Sequence, residues 1–449
     1  MHTQTVGIKQ NANRLSDQSI VFIFLMGVFM GAIDHGIVGP ALSSILEAFN
    51  VSASWGTWSF TIYTLTFAIS IPILSKLSDR IGRKQTFMLG ISLFAIGSTI
   101  AAIAANFPMF LIGRAIQAMG SGGIFPITSA QIVATYPPEK RGRALGYVGV
   151  AFGIGTILGP SVGGLIISYF EWQWIFLINL PISFIVLMMV ARYKQTQQVI
   201  VKPIDYKGIF LVSITILATM YGITSGNLVF IGIGILLIPI LLGIEKKQTD
   251  PVLNSAYFTR KSTLVILVTS LFSGVVMATS INFLPYFSEA ILHLEKGSSG
   301  IFATPFAVSS TIASLVAGIL SDKVGAKKVL ILGFLISLIG SISLATIVSS
   351  LELFMVVITI MGFGVGIIIG APLNILIMNE INPLETGLAM GYLSLTRSIG
   401  STLGPVIGGA LIVAFPSGFS YLFILSSVVS ILSILIVGMF LENVAKTAK

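Results

Sequence analysis

Long apolar runs without a charged residue are the dominant feature of this chain. Residues 20–33 form one such run, which ends only at Asp34. Charged residues make up 9% of the 449 positions, whereas soluble domains carry about 25%. A helix of about 20 apolar residues crosses the ~30 Å hydrocarbon core of a bilayer. The sequence therefore predicts an all-α polytopic membrane protein whose main surroundings are the lipid bilayer.

Fourteen runs are long and apolar enough to be interpreted as membrane spans. The first follows a polar start without a small-residue cleavage site, so we expect an uncleaved span rather than a signal peptide. The chain has no cysteine, which excludes disulfides and thiol chemistry. The predicted spans lie near 20–46, 55–75, 86–105, 107–134, 143–168, 173–191, 207–225, 227–244, 262–290, 298–320, 329–349, 352–378, 386–414 and 418–441.

Basic residues fall almost entirely on one side of these spans. With both termini in the cytoplasm, every Lys and Arg lies on the cytoplasmic side except Lys296, Arg114 and Arg397. Cytoplasmic loops of membrane proteins carry an excess of Lys and Arg. We therefore expect a multi-pass protein of the plasma (inner) membrane with cytoplasmic termini. The net charge of +9 then reflects topology and not nucleic-acid binding.

The chain also contains an internal duplication. RGRALGYVGVAFGIGTILGPSVGGLI at 141–166 matches TGLAMGYLSLTRSIGSTLGPVIGGAL at 386–411. LSDRIGRK at 77–84 likewise matches LSDKVGAK at 320–327, at nearly the same offset. Two matching pairs in the same order indicate a repeated unit. Parallel repeats are typical of secondary transporters, which bind their substrate between the two halves near the bilayer midplane.

The duplication predicts three parts of the chain. Residues 1–192 form an N-terminal six-helix bundle, and residues 262–449 form a C-terminal six-helix bundle. Residues 193–261 form a linker with two additional transmembrane helices that have no counterpart in the repeat.

Several segments resemble signature motifs of the major facilitator superfamily. SKLSDRIGRK at 75–84 resembles motif A, and RAIQAMG at 114–120 resembles motif B. The glycines and the proline of 146–164 resemble motif C, which marks antiporters. AIDHGIVGPAL at 32–42 resembles the first-span motif of fourteen-helix drug:proton antiporters, although His-Gly follows the aspartate here. The resemblance implies the major facilitator fold and a multidrug efflux transporter that confers antibiotic resistance.

Asp34 is the acidic residue that the sequence places deepest in a span. An ionised carboxylate near the bilayer centre costs on the order of 3 kcal/mol or more unless it faces water or a partner. Such a group favours its neutral form, so it can take up a proton on one side of the membrane and release it on the other. When ionised it can also pair with a cationic drug. The alternative is a structural carboxylate locked to an arginine.

Arg114 is the expected neighbour of Asp34. At about 1.5 Å per helical residue, both residues fall at nearly the same depth in a ~30 Å core, so they can meet directly or through Gln117. Motif B implies that Arg114 tunes the proton-carrying acid, and the alternative is an arginine that only holds two helices together. His35 is a candidate proton relay, because histidine titrates near neutrality. It is equally a candidate packing residue.

Glycine-rich segments predict close helix packing and a moving gate. Gly155, Gly159 and Gly163 recur every four residues, which lets another backbone approach closely. Pro160 favours a bend, because proline removes a helix hydrogen bond. Gly164 belongs to the same motif.

The resemblance to motif A implies a contact between the two halves. Asp79 is expected at the start of the helix near 386–391, because helix N-termini favour carboxylates. Asp322 is its counterpart against 142–146. The remaining gating candidates from this motif are Gly82 and Arg83. The alternative is a turn that only supplies positive charge.

Candidate substrate-binding residues are polar or aromatic side chains within the spans. Arg397 stands where the first copy of the repeat has Phe152, and it can repel cations or bind the anionic group of a zwitterion. Aromatic rings can hold lipophilic cations. The full set of candidates is Asp34, Gln117, Tyr63, Asn282, Asn374 and Arg397.

Together these features favour a monomeric proton-coupled antiporter that exports amphipathic cationic or zwitterionic drugs by alternating access. Protons are the only coupling partner, and we expect no cofactor, no metal and no ATP, because no Walker-type loop is present. Two alternatives share the fold: a dedicated tetracycline:proton exporter and a proton-coupled nutrient importer. A membrane enzyme is disfavoured, because the three histidines do not cluster.

Overall fold

The chain is described from a computed structural model, and the described part of it is entirely helical apart from turns and short connections. The apolar runs of the sequence become helices because a backbone inside a bilayer must satisfy its own hydrogen bonds. The described residues are 17–51, 58–192, 205–246, 248, 251, 255–293, 304–382 and 385–441. Residues 193–204 of the predicted linker lie outside them.

The first half of the described chain consists of eight helices, two pairs of which nearly continue each other. They are α1 Asp17–Phe49, α2 Trp58–Arg80, α3 Arg83–Ala102, α4 Phe107–Ser121, α5 Ile124–Thr135, α6 Pro138–Tyr169, α7 Trp174–Leu177 and α8 Asn179–Arg192. The predicted span near 107–134 is divided into α4 and α5 at two glycines. Asn106 begins α4, where its Oδ1 accepts a hydrogen bond from the Met109 amide at 2.9 Å.

Three helices separate the two halves in the described chain. They are α9 Tyr206–Ser225, α10 Leu228–Glu245 and the short α11 Ser255–Thr259. Gly226 adopts φ +66° and allows the tight turn between α9 and α10, since such a backbone favours glycine.

The second half of the described chain repeats the plan of the first, including a span divided in the middle. Its helices are α12 Lys261–Ala290, α13 Thr304–Val324, α14 Ala326–Thr346, α15 Leu351–Ile369, α16 Ala371–Met378, α17 Thr386–Ala414 and α18 Gly418–Phe440. Gly370 separates α15 from α16.

The described helices agree with a membrane-embedded protein. Eleven helical segments of the described chain are long and apolar enough to cross a bilayer. Three predicted spans are not among these eleven segments. They are the span near 107–134, which corresponds to α4 with α5, the span near 207–225, which corresponds to α9, and the span near 386–414, which corresponds to α17. The all-helical class is therefore confirmed, and the count of fourteen spans stays a prediction.

The two halves meet along two seams. One seam is formed by α6 against α13, and the other by α2 against α17. Within the halves, α1 packs along α6 and α12 packs along α17 in corresponding positions. The predicted division into 1–192, 193–261 and 262–449 stays a prediction, and this repeated packing supports it.

Glycines make these close contacts possible. A Cβ atom at Gly159 would lie 2.7 Å from the carbonyl oxygen of Ile33, and one at Gly163 would lie 2.5 Å from that of Ile37. Both positions therefore need glycine for α6 to lie directly on the backbone of α1. The glycines of α6 that face α1 are Gly155, Gly159 and Gly163, and those that face α13 are Gly142, Gly146, Gly149 and Gly153.

The two additional helices form a hairpin beside one of the seams. α9 packs on α10, and it also contacts α2 and α17. An apolar cluster joins these helices, with Leu65 and Ile71 from α2, Ile216 and Met220 from α9, and Leu395 from α17. The hairpin is thus attached to both halves at the α2–α17 seam.

The number of spans can be tested by labelling, because the chain has no cysteine of its own. Ser225 is exposed at the tip of the α9–α10 hairpin. We expect Ser225→Cys to react with a membrane-impermeant maleimide in intact cells, as Ser349→Cys should. Lys246→Cys should react only after permeabilisation, because this exposed residue lies at the opposite end of α10. Protection of Ser225→Cys with labelling of Ser349→Cys would show that the hairpin does not cross the membrane.

Candidate functional site

Asp34 lies in the interior of the first half, where four helices converge. Its side chain is 0% exposed. Its hydrogen-bond partners lie on α4 and α8, and α3 contributes Ser98, which bonds two of those partners. Arg114 Nη1 lies 3.2 Å from Asp34 Oδ2, and the arginine is 2% exposed. Asp34 and Arg114 therefore meet directly, as their similar depth in the predicted spans allowed.

Gln117 completes a closed network with this ion pair. Its Oε1 accepts a hydrogen bond from Arg114 Nη1 at 2.5 Å, and its Nε2 donates to Asp34 Oδ1 at 2.8 Å. The amide therefore bridges the same two charges that also touch directly. Removal of one partner would leave the other charge buried, which is strongly unfavourable.

Two residues of the network were not predicted from the sequence. Asn179 Nδ2 donates to Asp34 Oδ1 at 3.1 Å, and Ser98 Oγ lies 2.8 Å from Gln117 Nε2 and 3.3 Å from Asn179 Nδ2. An amide in the apolar run 173–191 was a usable signal for Asn179. Ser98 gave none, because small hydroxyl residues are common within the spans and mostly bond their own helix.

Aromatic rings enclose the guanidinium of Arg114. Its Cζ lies 4.3 Å from the ring centroid of Tyr63 and 5.6 Å from that of Phe176. Such contacts stabilise a desolvated cation by about 2 kcal/mol. Tyr63 is itself 2% exposed, so in this conformation its ring covers the ion pair more than it offers a surface to a ligand.

His35 lies apart from this network although it follows Asp34 directly. The side chain is exposed, and its ring packs edge-on against Tyr63 and Phe67 with centroid distances of 5.4 and 6.1 Å. Consecutive helical residues differ by about 100° in direction. This geometry gives His35 aromatic contacts, and its predicted part in proton transfer stays a prediction.

Two reciprocal contacts join the halves at the end where the basic residues collect. Asp79 Oδ1 and Oδ2 accept hydrogen bonds from the amides of Gly387 and Leu388, both at 2.9 Å. Asp322 accepts from the amides of Gly142 and Arg143, both at 2.8 Å. Each carboxylate thus accepts from backbone amides near the N-terminus of a helix in the opposite half, in the first turn of α17 and the second turn of α6. The helix dipole favours a negative charge at this end of a helix. We call these four hydrogen bonds the double latch.

The other gating candidates surround these contacts or lie farther along α6. Gly82 adopts φ +100° in the turn before α3, which explains the need for glycine, and Arg83 is buried beside it. α6 continues past Pro160. A Cβ atom at Gly164 would meet nothing within 4 Å, so close packing does not require glycine there.

The remaining substrate candidates lie in separate places. Asn374 is 4% exposed and its Nδ2 donates to the Gly370 carbonyl within its own span, whereas Asn282 on α12 is exposed. Arg397 on α17 is half-buried, and its Nη1 donates to the Ile369 carbonyl at 3.5 Å. The structure therefore unites Asp34, Arg114, Gln117 and Tyr63 in one cluster and leaves the other candidates outside it.

The network around Asp34 predicts strong energetic coupling. Arg114→Gln leaves a buried carboxylate without its cation, so we expect it to destabilise the protein by about 3–5 kcal/mol. In the Asp34→Asn/Arg114→Gln double variant both charges are gone, and the thermal midpoint in detergent should exceed that of Arg114→Gln alone. The exposed Arg192→Gln serves as a control. Strictly additive losses would contradict the coupling.

The double latch predicts a conformational shift that spin labels can detect. Each carboxylate–helix contact is worth about 1 kcal/mol, so loss of both should raise the unlatched population roughly 30-fold. Spin labels are attached at Ile81→Cys and Val324→Cys, which replace exposed residues of opposite halves. The distance between the labels should be longer in the Asp79→Asn/Asp322→Asn double variant than in the protein that keeps both carboxylates. The control is Asp205→Asn, since Asp205 caps α9 at Gly208 and bridges no halves. Unchanged distances would show that the carboxylates do not hold this end closed.

Comparison with known proteins agrees with the fold and the motifs. The family model described as Major Facilitator Superfamily matches residues 24–288 and 266–449. The uncharacterized MFS-type transporter YfiU of Bacillus subtilis (strain 168) is 39% identical over 418 residues, which cover 89% of this chain and 80% of that protein. Multidrug resistance protein 3 of the same strain is 30% identical with the same coverage.

The fold is also similar to a solved transporter structure. The crystal structure of the human organic anion transporter MFSD10 (TETRAN) superposes with a TM-score of 0.71 at 14% identity, and the match covers 94% of this chain and 100% of that one. At this identity the likeness concerns the fold alone. The family match extends over both halves and the additional hairpin. The chain therefore belongs to the Major Facilitator Superfamily of membrane transporters.

Proposed function

We propose that this chain is a proton-coupled antiporter that exports amphipathic compounds, a multidrug efflux transporter. The observation that carries the proposal is the buried Asp34 in a network with Arg114, Gln117 and Asn179. A membrane-buried acid whose charge is balanced by one cation is suited to a change of protonation state. The likeness to a multidrug resistance protein adds support for the substrate class.

In this proposal the protein crosses a plasma membrane fourteen times with both termini in the cytoplasm. It acts as a monomer, and protons alone drive transport, without ATP or a resident cofactor. The double latch then lies on the cytoplasmic side, so the described conformation is closed toward the cytoplasm. The halves alternate between this arrangement and one in which the latch is broken.

Protonation of Asp34 supplies the coupling step. A neutral carboxyl group keeps the hydrogen bond from Asn179 but loses most of its attraction for Arg114. That loss loosens the contact between α1 and α4 within the first half. Asp34 is fully enclosed here, so a proton or a cationic substrate reaches it only after these helices move. Access to the acid is thereby tied to the conformational cycle.

Transport in everted membrane vesicles tests the proposal. Vesicles with an acidic interior receive a panel of lipophilic cations and fluoroquinolones, and the collapse of the pH gradient is followed. We expect substrate-dependent proton efflux in the wild-type protein and its loss in Asp34→Asn. Glu47→Gln is the matched control, because Glu47 is an exposed carboxylate on the same helix, and efflux should persist.

Other outcomes would contradict parts of the proposal. Equal efflux from Asp34→Asn and wild type would leave Asp34 as a structural partner of Arg114. A response to tetracycline alone would favour a dedicated tetracycline:proton exporter over a multidrug exporter. A folded wild-type protein that responds to no drug would favour the nutrient importer of the same fold.

A further inference from the structure

Arg397 is a cation within a predicted span whose charge no described residue balances. It lies on α17, within a predicted span, and no acidic side chain pairs with it among the described residues. Its Nε and Nη2 atoms are enclosed and have no protein hydrogen-bond partner in the described part of the chain. An uncompensated buried charge costs several kcal/mol. A neutral side chain would therefore be the more stable choice at this position.

The one hydrogen bond that the described residues give the Arg397 side chain is too weak to balance its charge. Nη1 donates to the carbonyl of Ile369, the last residue of α15, at 3.5 Å. This distance is longer than the 2.7–3.2 Å of ordinary hydrogen bonds. The carbonyl lies at the break between α15 and α16, where any neutral donor would serve equally well.

The first half shows that the fold itself does not need the arginine. The equivalent position in the repeat is Phe152, whose ring packs against Phe125 with a centroid distance of 6.3 Å. The first half keeps its own interior arginine, Arg114, tightly paired with Asp34. Among the described residues, the second half thus carries a cation without an acid equivalent to Asp34.

Arg397 is partly exposed beside the seam between the halves, and a ligand reaches its enclosed Nε and Nη2 atoms only when the helices of the seam move. The residue is half-buried, whereas Asp34 has no exposed surface. Its helix, α17, forms one side of the α2–α17 seam between the halves. The planar guanidinium with its free Nε and Nη2 edge matches the two oxygens of a carboxylate.

We propose that Arg397 binds the carboxylate of the transported compound, so that amphipathic zwitterions are the preferred substrates. The inference rests on the proposed export function and narrows its substrate class. The ligand carboxylate supplies the counter-charge that α17 lacks, and Asp34 remains available for the proton.

A matched pair of dyes distinguishes an effect on carboxylate binding at Arg397 from an effect on the transport of every substrate. Rhodamine 110 carries a free carboxylate and is a zwitterion, and rhodamine 123 is its methyl ester and a cation. Uptake of each dye into acid-loaded everted vesicles is measured for wild type, Arg397→Gln, Arg397→Lys and Arg397→Phe. The last variant copies the residue of the first half and controls for packing.

We expect Arg397→Gln and Arg397→Phe to lower the ratio of rhodamine 110 to rhodamine 123 transport at least tenfold. Arg397→Lys should keep part of the preference, because it keeps the charge but not the planar fork. Equal losses for both dyes would overturn the inference in favour of a structural arginine at the α15–α16 break, and so would an unchanged ratio. Wild-type transport of the ester but not of the acid would also overturn it.

The failure of the proposed function gives a different result. A folded wild-type protein that moves neither dye contradicts export itself, and the inference falls with it. Normal rhodamine 123 transport with an unaltered dye ratio in every Arg397 variant contradicts only the carboxylate site.

Discussion

The burial of one carboxylate shapes the interior of the first half. Asp34 is acceptable there only because Arg114 balances its charge and because amides of Gln117 and Asn179 donate to the same oxygen. Asp34 lies on α1 and these partners lie on α4 and α8, so the electrostatic requirement of a single residue fixes how three helices are rotated about their axes. The rings of Tyr63 and Phe176 then cover the guanidinium and complete the packing.

Much of this arrangement was accessible from the sequence, and the remainder depends on helix rotation. Depth along each span was sufficient to bring Asp34 and Arg114 together, because every helical residue advances about 1.5 Å. The resemblance to motif A predicted the contact of Asp79, and the repeat added Asp322 as its counterpart. Asn179 and Ser98 escaped notice because their place in the network depends on how α8 and α3 face α1, which no spacing within one helix reveals. The burial of Tyr63 was not predicted for the same reason, because it depends on how its helix, α2, faces the other helices.

The duplicated halves are alike in their backbone contacts and different in their polar interiors. Glycines of α6 lie on α1, and the equivalent glycines of α17, at 400, 404 and 408, lie on α12. The first half nevertheless encloses a balanced ion pair, whereas the second half presents a cation without a protein counter-ion among the described residues. The halves therefore share their backbone packing and differ in the charges that their described interiors hold.

The double latch has a form that is usually found between separate subunits. Asp79 of the first half binds the start of α17, and Asp322, its counterpart in the repeat, binds the start of α6. Each half therefore gives a carboxylate and receives one, which is the reciprocity of an isologous twofold interface. Two identical half-length chains would close against each other through the same four hydrogen bonds. The double latch can thus be understood as the interface of an ancestral homodimer whose two subunits became joined in one chain.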